Sequence, residues 1–454
     1  MARGTTSVAL SKLLKRAEKV SLSDLASSGR AKKTTPSEVT ELVANVLAAG
    51  LRAGASAIHI EPRSDDVRIR HRIDGQLTEA QLLPRAVAPV LVAGLKILAH
   101  LPVDEDEALP QQASATVAVQ GKSYKLQIAT IPVEEGEKAV VQLIAIASKA
   151  PTLPELGYWG PALKAISSAI AKPRGLVLLA GPHDSGQAES AYSMLAHLSS
   201  PHISIATLED PIMYRITGAT QTQINNKIGL NFPAALRILL KQDANALYVS
   251  NLRDTETTRL AIEGALSGRL MLAGLYATNA ASSLHYLLAA GVEPYLVAHT
   301  VSAVVGQRVV RRLCENCKEI YSPSEQEMIG ILKSLGIHTA AQLQRVRELE
   351  RQALDEKVVM GASSTDSGAI TSLYRAHKDG CSECSHTGYK GSLGLYEVLE
   401  ISDTIQRLIL GSATAQNIED QATAEGMPTI QMDGLVKVLL GLTSIDEVAS
   451  ATEA

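Results

Sequence analysis

Two sets of residues in this 454-residue chain have the types and spacing that chemistry needs. The first is Gly181–Ala188, which reads GPHDSGQA. It follows a short apolar run, Gly175–Ala180, suited to a buried strand, and precedes Glu189–Leu198, which has helical character. Strand, glycine loop and helix together make a phosphate cradle, because backbone N–H groups and the helix N-terminus converge on an anion. In such a loop the place of Gln187 belongs to a phosphate-binding Lys, and that of Ala188 to a Ser or Thr that binds Mg²⁺. The shape is present and the charge is missing. The second set is Cys314-x-x-Cys317 and Cys381-x-x-Cys384, all the cysteines in the chain. Four thiolates are enough for tetrahedral zinc, and paired C-x-x-C spacing points to a metal site in a reducing compartment rather than to disulfides. His386, close to Cys384, is a candidate substitute ligand, though it reads more readily as a surface residue.

The elements that must hold these residues follow from periodicity. Residues 1–36 read as a short N-terminal arm. A helix is expected from a Ser37 cap, with Glu38 and Glu41 favouring its N-terminus, through Leu42, Val46 and Leu47. Segments 57–62 and 67–75 alternate as strands. In the latter Val67, Ile69, His71 and Ile73 share one face, and Arg68, Arg70 and Arg72 the other, ending in an Asp74-Gly75 turn. His59 is expected to face the core. Runs Thr116–Val119 and Tyr124–Thr130 complete an α+β domain over 37–148, and prolines 151 and 154 mark a linker, 149–160.

Beyond the linker the pattern becomes strand–helix alternation, the mark of a parallel sheet covered by helices. Strands are expected at 175–180, 202–208, 246–250 and 269–275, and helices at 186–198, 232–242, 255–266 and 294–303. This gives an α/β domain at 161–313, a tetracysteine subdomain with a long insertion at 314–399, and a helical region at 400–454. The insertion's stretch Gly361–Gly368 reads as a flexible loop. Asp254 is placed to cap the helix at 255–266.

Composition sets outer limits. The length calls for two or three domains. With 46% hydrophobic and 20% charged residues the chain reads as an ordinary soluble globular protein. A single Phe and a single Trp leave its cores to Ala, Leu, Ile and Val. A net charge of −4 gives no footprint for nucleic acid. No uncharged apolar run reaches the roughly 18–20 residues needed to cross a bilayer, and the N-terminus carries Lys12, Lys15, Arg16 and Lys19 before any long apolar stretch. The reading is cytoplasmic.

Several segments in fixed order carry a resemblance: GASAIHIEP (54–62), RHRIDGQL (70–77), PVEEGEKAVVQLI (132–144), TLEDPI (207–212), FPAALRILLKQDANALYVSNLRDTET (232–257), GQRVVRRLCENC (306–317) and CSECSHTGYKGSLGLYEVL (381–399). They resemble the type II secretion and type IV pilus assembly ATPase family over roughly residues 37–450. The resemblance implies a hexameric motor with a PAS-like N-terminal domain, a RecA-like parallel-sheet domain, a zinc subdomain and C-terminal helices.

It also marks departures. Gly181, Pro182, Asp184, Ser185, Gly186, Gln187 and Ala188 stand in the nucleotide loop, where the family ends in Gly-Lys-Thr/Ser. The acidic Walker B segment reads Ser250-Asn251-Leu252-Arg253-Asp254, so Asn251 replaces its Glu. The histidine box reads Gly274-Leu275-Tyr276, with Tyr276 for His. Glu209 and Asp210 remain, with Met213 for a further Glu. Phosphate-reaching arginines give way to Ala108, Ser114, Gln127 and Gln142.

A Gln amide cannot neutralise phosphate, and Asn cannot accept a proton at neutral pH. The sequence expectation is therefore a catalytically inactive pseudo-ATPase, not an enzyme, with ATP binding weak or absent and zinc structural. Glu209 and Asp210 read as structural, and Arg308, Arg311 and Arg312 as lying near subunit contacts. The expected place is the cytoplasm, peripheral at the inner face of the membrane, in a homo- or hetero-hexamer. An active paralogous motor ATPase or a membrane platform protein would be its partner. An active or slow mechanochemical ATPase and a nucleotide or ligand sensor are the alternatives.

Overall fold

The computed structural model describes residues 36–73, 75–103, 109–119, 122–146, 150–356, 370 and 372–453. Expectations for the arm, Asp74, Ala108 and the loop 361–368 fall outside these residues. The chain divides into two units between Ser148 and Lys149.

The first unit is one antiparallel sheet with helices. Its strands are β1 (Ala57–Pro62), β2 (Asp66–Ile73), β3 (Gln76–Pro84), β4 (Gln111–Val119), β5 (Lys122–Val133) and β6 (Gly136–Ile146), in the order β3-β2-β1-β6-β5-β4. Helices Pro36–Arg52 and Ala88–Leu98 pack with it. The helix begins at Pro36, so Ser37 lies inside it rather than capping it. Ile58, Ile60, Val67, Ile69, Leu126, Ile128 and Val141 share one core with Leu47, Leu91 and Leu95.

Strand alternation fixes what the other face carries. Because Ile58 and Ile60 fill the core, His59 points away from it, contrary to expectation; its Nδ1 is buried without a partner among the described residues. Burial holds the His59 ring below its ordinary pKa. On the same face Arg68, Arg70 and Lys138 converge on Glu61 at 3.0, 2.7 and 3.3 Å. Burial alone would raise the Glu61 carboxyl, but these cations hold it down at about 2.

The second unit is built on β7 (Gly175–Ala180), β8 (Ile205–Glu209), β9 (Ala219–Gln223), β10 (Ala246–Val249), β11 (Leu270–Leu275), β12 (Val301–Leu313) and β15 (Tyr389–Glu400). Their order is β15-β12-β7-β11-β10-β8-β9, and every pairing is parallel except β12 with β15. This is the parallel sheet that the alternation predicts, RecA-like as the resemblance implies. Strands β7, β10 and β11 are almost wholly buried, as expected for strands covered by helices on both faces. Two apolar clusters lie on either side, one containing Leu176, Leu178 and Leu247, the other Val177, Leu179 and Tyr248.

The expected helix at 294–303 is shorter. Pro294–Thr300 is helical, and the β-branched run that follows becomes the long strand β12. A two-stranded ribbon, β13 (Glu319–Tyr321) with β14 (Leu373–Arg375), accompanies helices Glu325–Ser334 and Ala340–Asp355. Helices Asp403–Leu410, Ala415–Ala424, Ile430–Leu439 and Ile445–Thr452 end the chain. Among the described residues no helix is long and apolar enough to cross a membrane.

Candidate functional site

The sheet brings the separate sequence positions to one edge. Gly181 follows β7, Glu209 ends β8, Asn251 follows β10 and Tyr276 follows β11. All lie at the carboxyl ends of parallel strands, where open α/β sheets bind ligands.

The loop has the backbone of an anion cradle. Asp184 and Gly186 take left-handed conformations, with φ of 60° and 83°, and the helix Gln187–Leu198 starts directly after Gly186. Asp tolerates this region as a single residue, and Gly occupies it freely. The turn leaves the first N–H groups of the helix without intrahelical acceptors, and loop and helix end together can form an anion nest. At Gly181 a Cβ would lie 2.4 Å from Ser185 Oγ, so only glycine lets the loop fold back on itself. Pro182, His183 and Asp184 are exposed, while Gly181 and Ser185 are buried.

The side chains give that cradle an unusual character. The Gln187 amide donates to the carbonyls of Gly181 at 3.0 Å and Leu275 at 2.9 Å, tying the base of the loop to the end of β11. Ala188 packs against the apolar cluster beneath the helix. Burial pushes the Glu189 carboxyl above its ordinary range, and the charge of Asp184 adds to the effect. Ser185 Oγ and Asn251 Oδ1 are buried with no hydrogen-bond partner among the described residues. Two such atoms at one sheet edge fit a polar ligand, because buried polar groups are ordinarily paired.

The remaining positions have defined roles. Glu209 is 1% exposed and accepts from Tyr192, Thr207 and Gln221, so it anchors β8 to its neighbours. The Met213 N–H donates to the Tyr192 hydroxyl at 2.9 Å. Asp210 and Arg253 are exposed. Asp254 caps the helix Thr255–Leu266, accepting from the Thr257 N–H at 2.8 Å. The exposed Tyr276 ring meets His183 edge-on, with centroids 6.3 Å apart.

Sequence reasoning missed Gln307. Fully buried on β12, it donates through Nε2 to the Ser185 carbonyl at 2.7 Å. No local signal marks it, since it stands 122 residues from its partner. Of the three arginines expected near subunit contacts, Arg308 is buried, Arg311 is half-buried and the Arg312 side chain stays 41% exposed. Arg308 donates to the carbonyls of Thr278, Gln307 and Ala451. Arg311 pairs with Glu447 at 2.6 Å and lies over the Tyr389 ring; Arg312 lies 4.0 Å from Glu315.

The four cysteines, far apart in sequence, come together. Their sulfurs all lie within 4.8 Å of one another, a set that can hold a metal ion. Cys384 Sγ accepts from the N–H groups of Cys381 and Gly388 at 3.1 and 3.2 Å. Burial opposes ionisation of Cys384, but these donors outweigh it and lower the thiol's pKa. Cys317 moves the other way, raised by burial and by the three neighbouring thiols. His386 is exposed and turned to the Asp379 carbonyl, outside the set.

Residues 32–450 match the family model described as type II/IV secretion system protein. The type IV pilus assembly ATPase PilB of Thermus thermophilus is 34% identical over 98% of this chain, which spans 48% of that protein's length. The type II secretion system ATPase E of Vibrio cholerae is 31% identical over 91% of this chain and 75% of its own. Among solved structures the pilus retraction motor PilT with bound ADP superposes with a TM-score of 0.56, at 17% identity, over 91% of this chain and 97% of that one.

These relatives correct the expectation that the chain is not an enzyme. Proteins 31–34% identical over most of its length are named ATPases, and the fold is that of ATPase motors. The physical reason lies in the weight given to side chains. Replacing Lys and Thr removes charge and a hydroxyl, yet much of a phosphate cradle is backbone, and that backbone is built here.

Proposed function

The chain belongs to the type II/IV secretion system protein family, and we propose that it is a slow, nucleotide-dependent motor subunit of a type IV pilus or type II secretion machine. One observation carries this reading: the loop at the end of β7 has the left-handed residues and the helix start of a phosphate cradle, with Gln187 tied into its base. The cradle supplies binding through backbone donors. The amide at 187 supplies no charge, and Asn251 orients water without taking its proton. Losing one charge-assisted contact weakens phosphate binding by roughly 10- to 100-fold.

In this reading Gly181, Pro182, Asp184, Ser185, Gly186, Gln187 and Ala188 hold the nucleotide, and the four cysteines hold one structural zinc, for which the four sulfurs are the right number and kind. In the same reading the subunit works in a ring at the inner face of the membrane, with a membrane platform protein or a paralogous motor ATPase as partner; the relatives' names support the pilus or secretion setting.

The test is phosphate release and fluorescent-nucleotide binding by the purified chain, assayed beside an intact relative. Saturable binding and turnover at least tenfold slower than the relative's are expected. The double variant Gln187→Lys with Asn251→Glu should raise turnover. Absence of both binding and phosphate release would overturn the reading.

A further inference from the structure

Beneath the loop runs a hydrogen-bond chain with one direction. The Tyr158 hydroxyl donates to Ser190 Oγ at 2.9 Å, Ser190 Oγ donates to Gln307 Oε1 at 3.0 Å, and Gln307 Nε2 donates to the Ser185 carbonyl at 2.7 Å. We propose that this chain is a relay through which residues 152–159, at the start of the second unit, and the phosphate loop fix one another's conformation.

Three features make the chain more than adjacent contacts. It is dry: Tyr158 is 1% exposed, and Ser190 and Gln307 are 0% exposed. Water cannot replace a lost link there, and hydrogen bonds in such a chain polarise one another. Its sense runs toward the loop, with the Tyr396 hydroxyl as a second neighbour of Ser190. Burial pushes the Tyr158 hydroxyl far above its ordinary pKa, so it always keeps the single proton it donates. Ser190 then has its own proton left for Gln307, which fixes the amide with its NH₂ toward the loop.

Both ends are rigidly mounted. Tyr158 stacks on Tyr396 with ring centroids 3.6 Å apart, and the Tyr396 hydroxyl donates to the Leu156 carbonyl at 3.1 Å. The short helix Leu153–Leu156 is closed by a Thr152–Glu155 capping box and by Gly157 in the left-handed region. At the other end the loop rests on β12, so closely that a Cβ at Gly181 would come 2.6 Å from the Gln307 carbonyl oxygen. A shift of Ser185 on binding a phosphate must therefore drag Gln307 and Ser190, or break a buried bond. The relay makes Gln307 a positioning residue of the loop. Its use in a nucleotide cycle rests on the function proposed above; its existence does not.

Hydrogen exchange of the full chain, free of nucleotide, tests it. Tyr158→Phe keeps the ring and its stacking and removes only the first donor. Amides of 183–188 should exchange about fivefold faster in Tyr158→Phe and in Ser190→Ala, as expected for one lost buried bond. The helix Asp403–Leu410 serves as an unaffected control. Since the two substitutions cut one chain, the double variant should add little to either. An unchanged loop in Tyr158→Phe and Ser190→Ala, or multiplied effects in the double variant, would overturn the relay.

A second arm adds Mg-ATP. The wild type should gain protection in both 183–188 and 152–159, and Tyr158→Phe in 183–188 alone. Protection of 152–159 that survives in Tyr158→Phe would also overturn the relay. Failure of the wild type to bind ATP would sink the nucleotide reading instead, leaving the exchange result without nucleotide to decide the relay.

Discussion

Replacing Lys437 with Met should destabilise the second unit by about 3–5 kcal/mol, the usual cost of stripping one partner from a buried ion pair. Lys437 and Asp433 lie one helical turn apart on Ile430–Leu439 and are 0% and 4% exposed. Their Nζ and Oδ2 atoms are 2.6 Å apart. Asp433 also accepts from Trp159 Nε1 at 3.0 Å and the Tyr396 N–H at 2.8 Å, while Lys437 donates to the Gly394 carbonyl at 2.7 Å. Burial pushes Asp433 up and Lys437 down, and each partner's charge opposes that drift. Met keeps most of the aliphatic stem but leaves a buried carboxylate with two neutral donors and no cation. For a unit of roughly 300 residues this loss lowers the melting midpoint by about 5–8 °C. Thermal unfolding followed by circular dichroism reads it. Asp433→Asn should cost a similar amount, and the double variant Lys437→Met with Asp433→Asn less than the sum of the two, because each single change leaves the other charge stranded. A midpoint within 1 °C of wild type for Lys437→Met would refute the reasoning, since it would mean the pair is not charged in the folded chain.

Glu397 ties a second stability term to pH. Burial lifts its carboxyl to about 7, the charge of Glu419 adds to that, and the Ala280 N–H donating at 2.7 Å opposes it. The folded chain then holds a proton that the unfolded chain releases near pH 4.5, so this group's contribution is full below that pH and is lost as pH rises toward 7. Glu397→Gln should flatten the fall in denaturation midpoint between pH 4.5 and 7, and an unchanged slope would exclude the effect. Cys381→Ser should reduce bound zinc from about one per chain and loosen the subdomain around β13 and β14 while the parallel sheet stays folded. Elemental analysis with urea unfolding would contradict this if the metal-free protein kept the wild-type midpoint.

What the sequence disclosed follows the range over which each signal acts. Gly175–Ala180 and 255–266 were legible because an apolar run and an Asp cap are local, and the strand and helix fall at those residues. The C-x-x-C pairs were legible for the same reason: two residues of spacing already define half a site, and only the meeting of the halves needed the fold. Strand β12 was not: its valine-rich run favours a strand, but the helix expected at 294–303 overran its start, and its place between β7 and β15 is set only by pairing in the fold. With β12 went Gln307, and with Gln307 the support of the loop. The inference of inactivity failed at the same boundary. Gln187 and Ala188 name what the loop has lost in charge, and that is readable one residue at a time. What the loop retains is a backbone conformation held from outside by Leu275 and Gln307. A phosphate cradle is in large part such a conformation, so a sequence that loses its marker side chains can keep the shape of the loop.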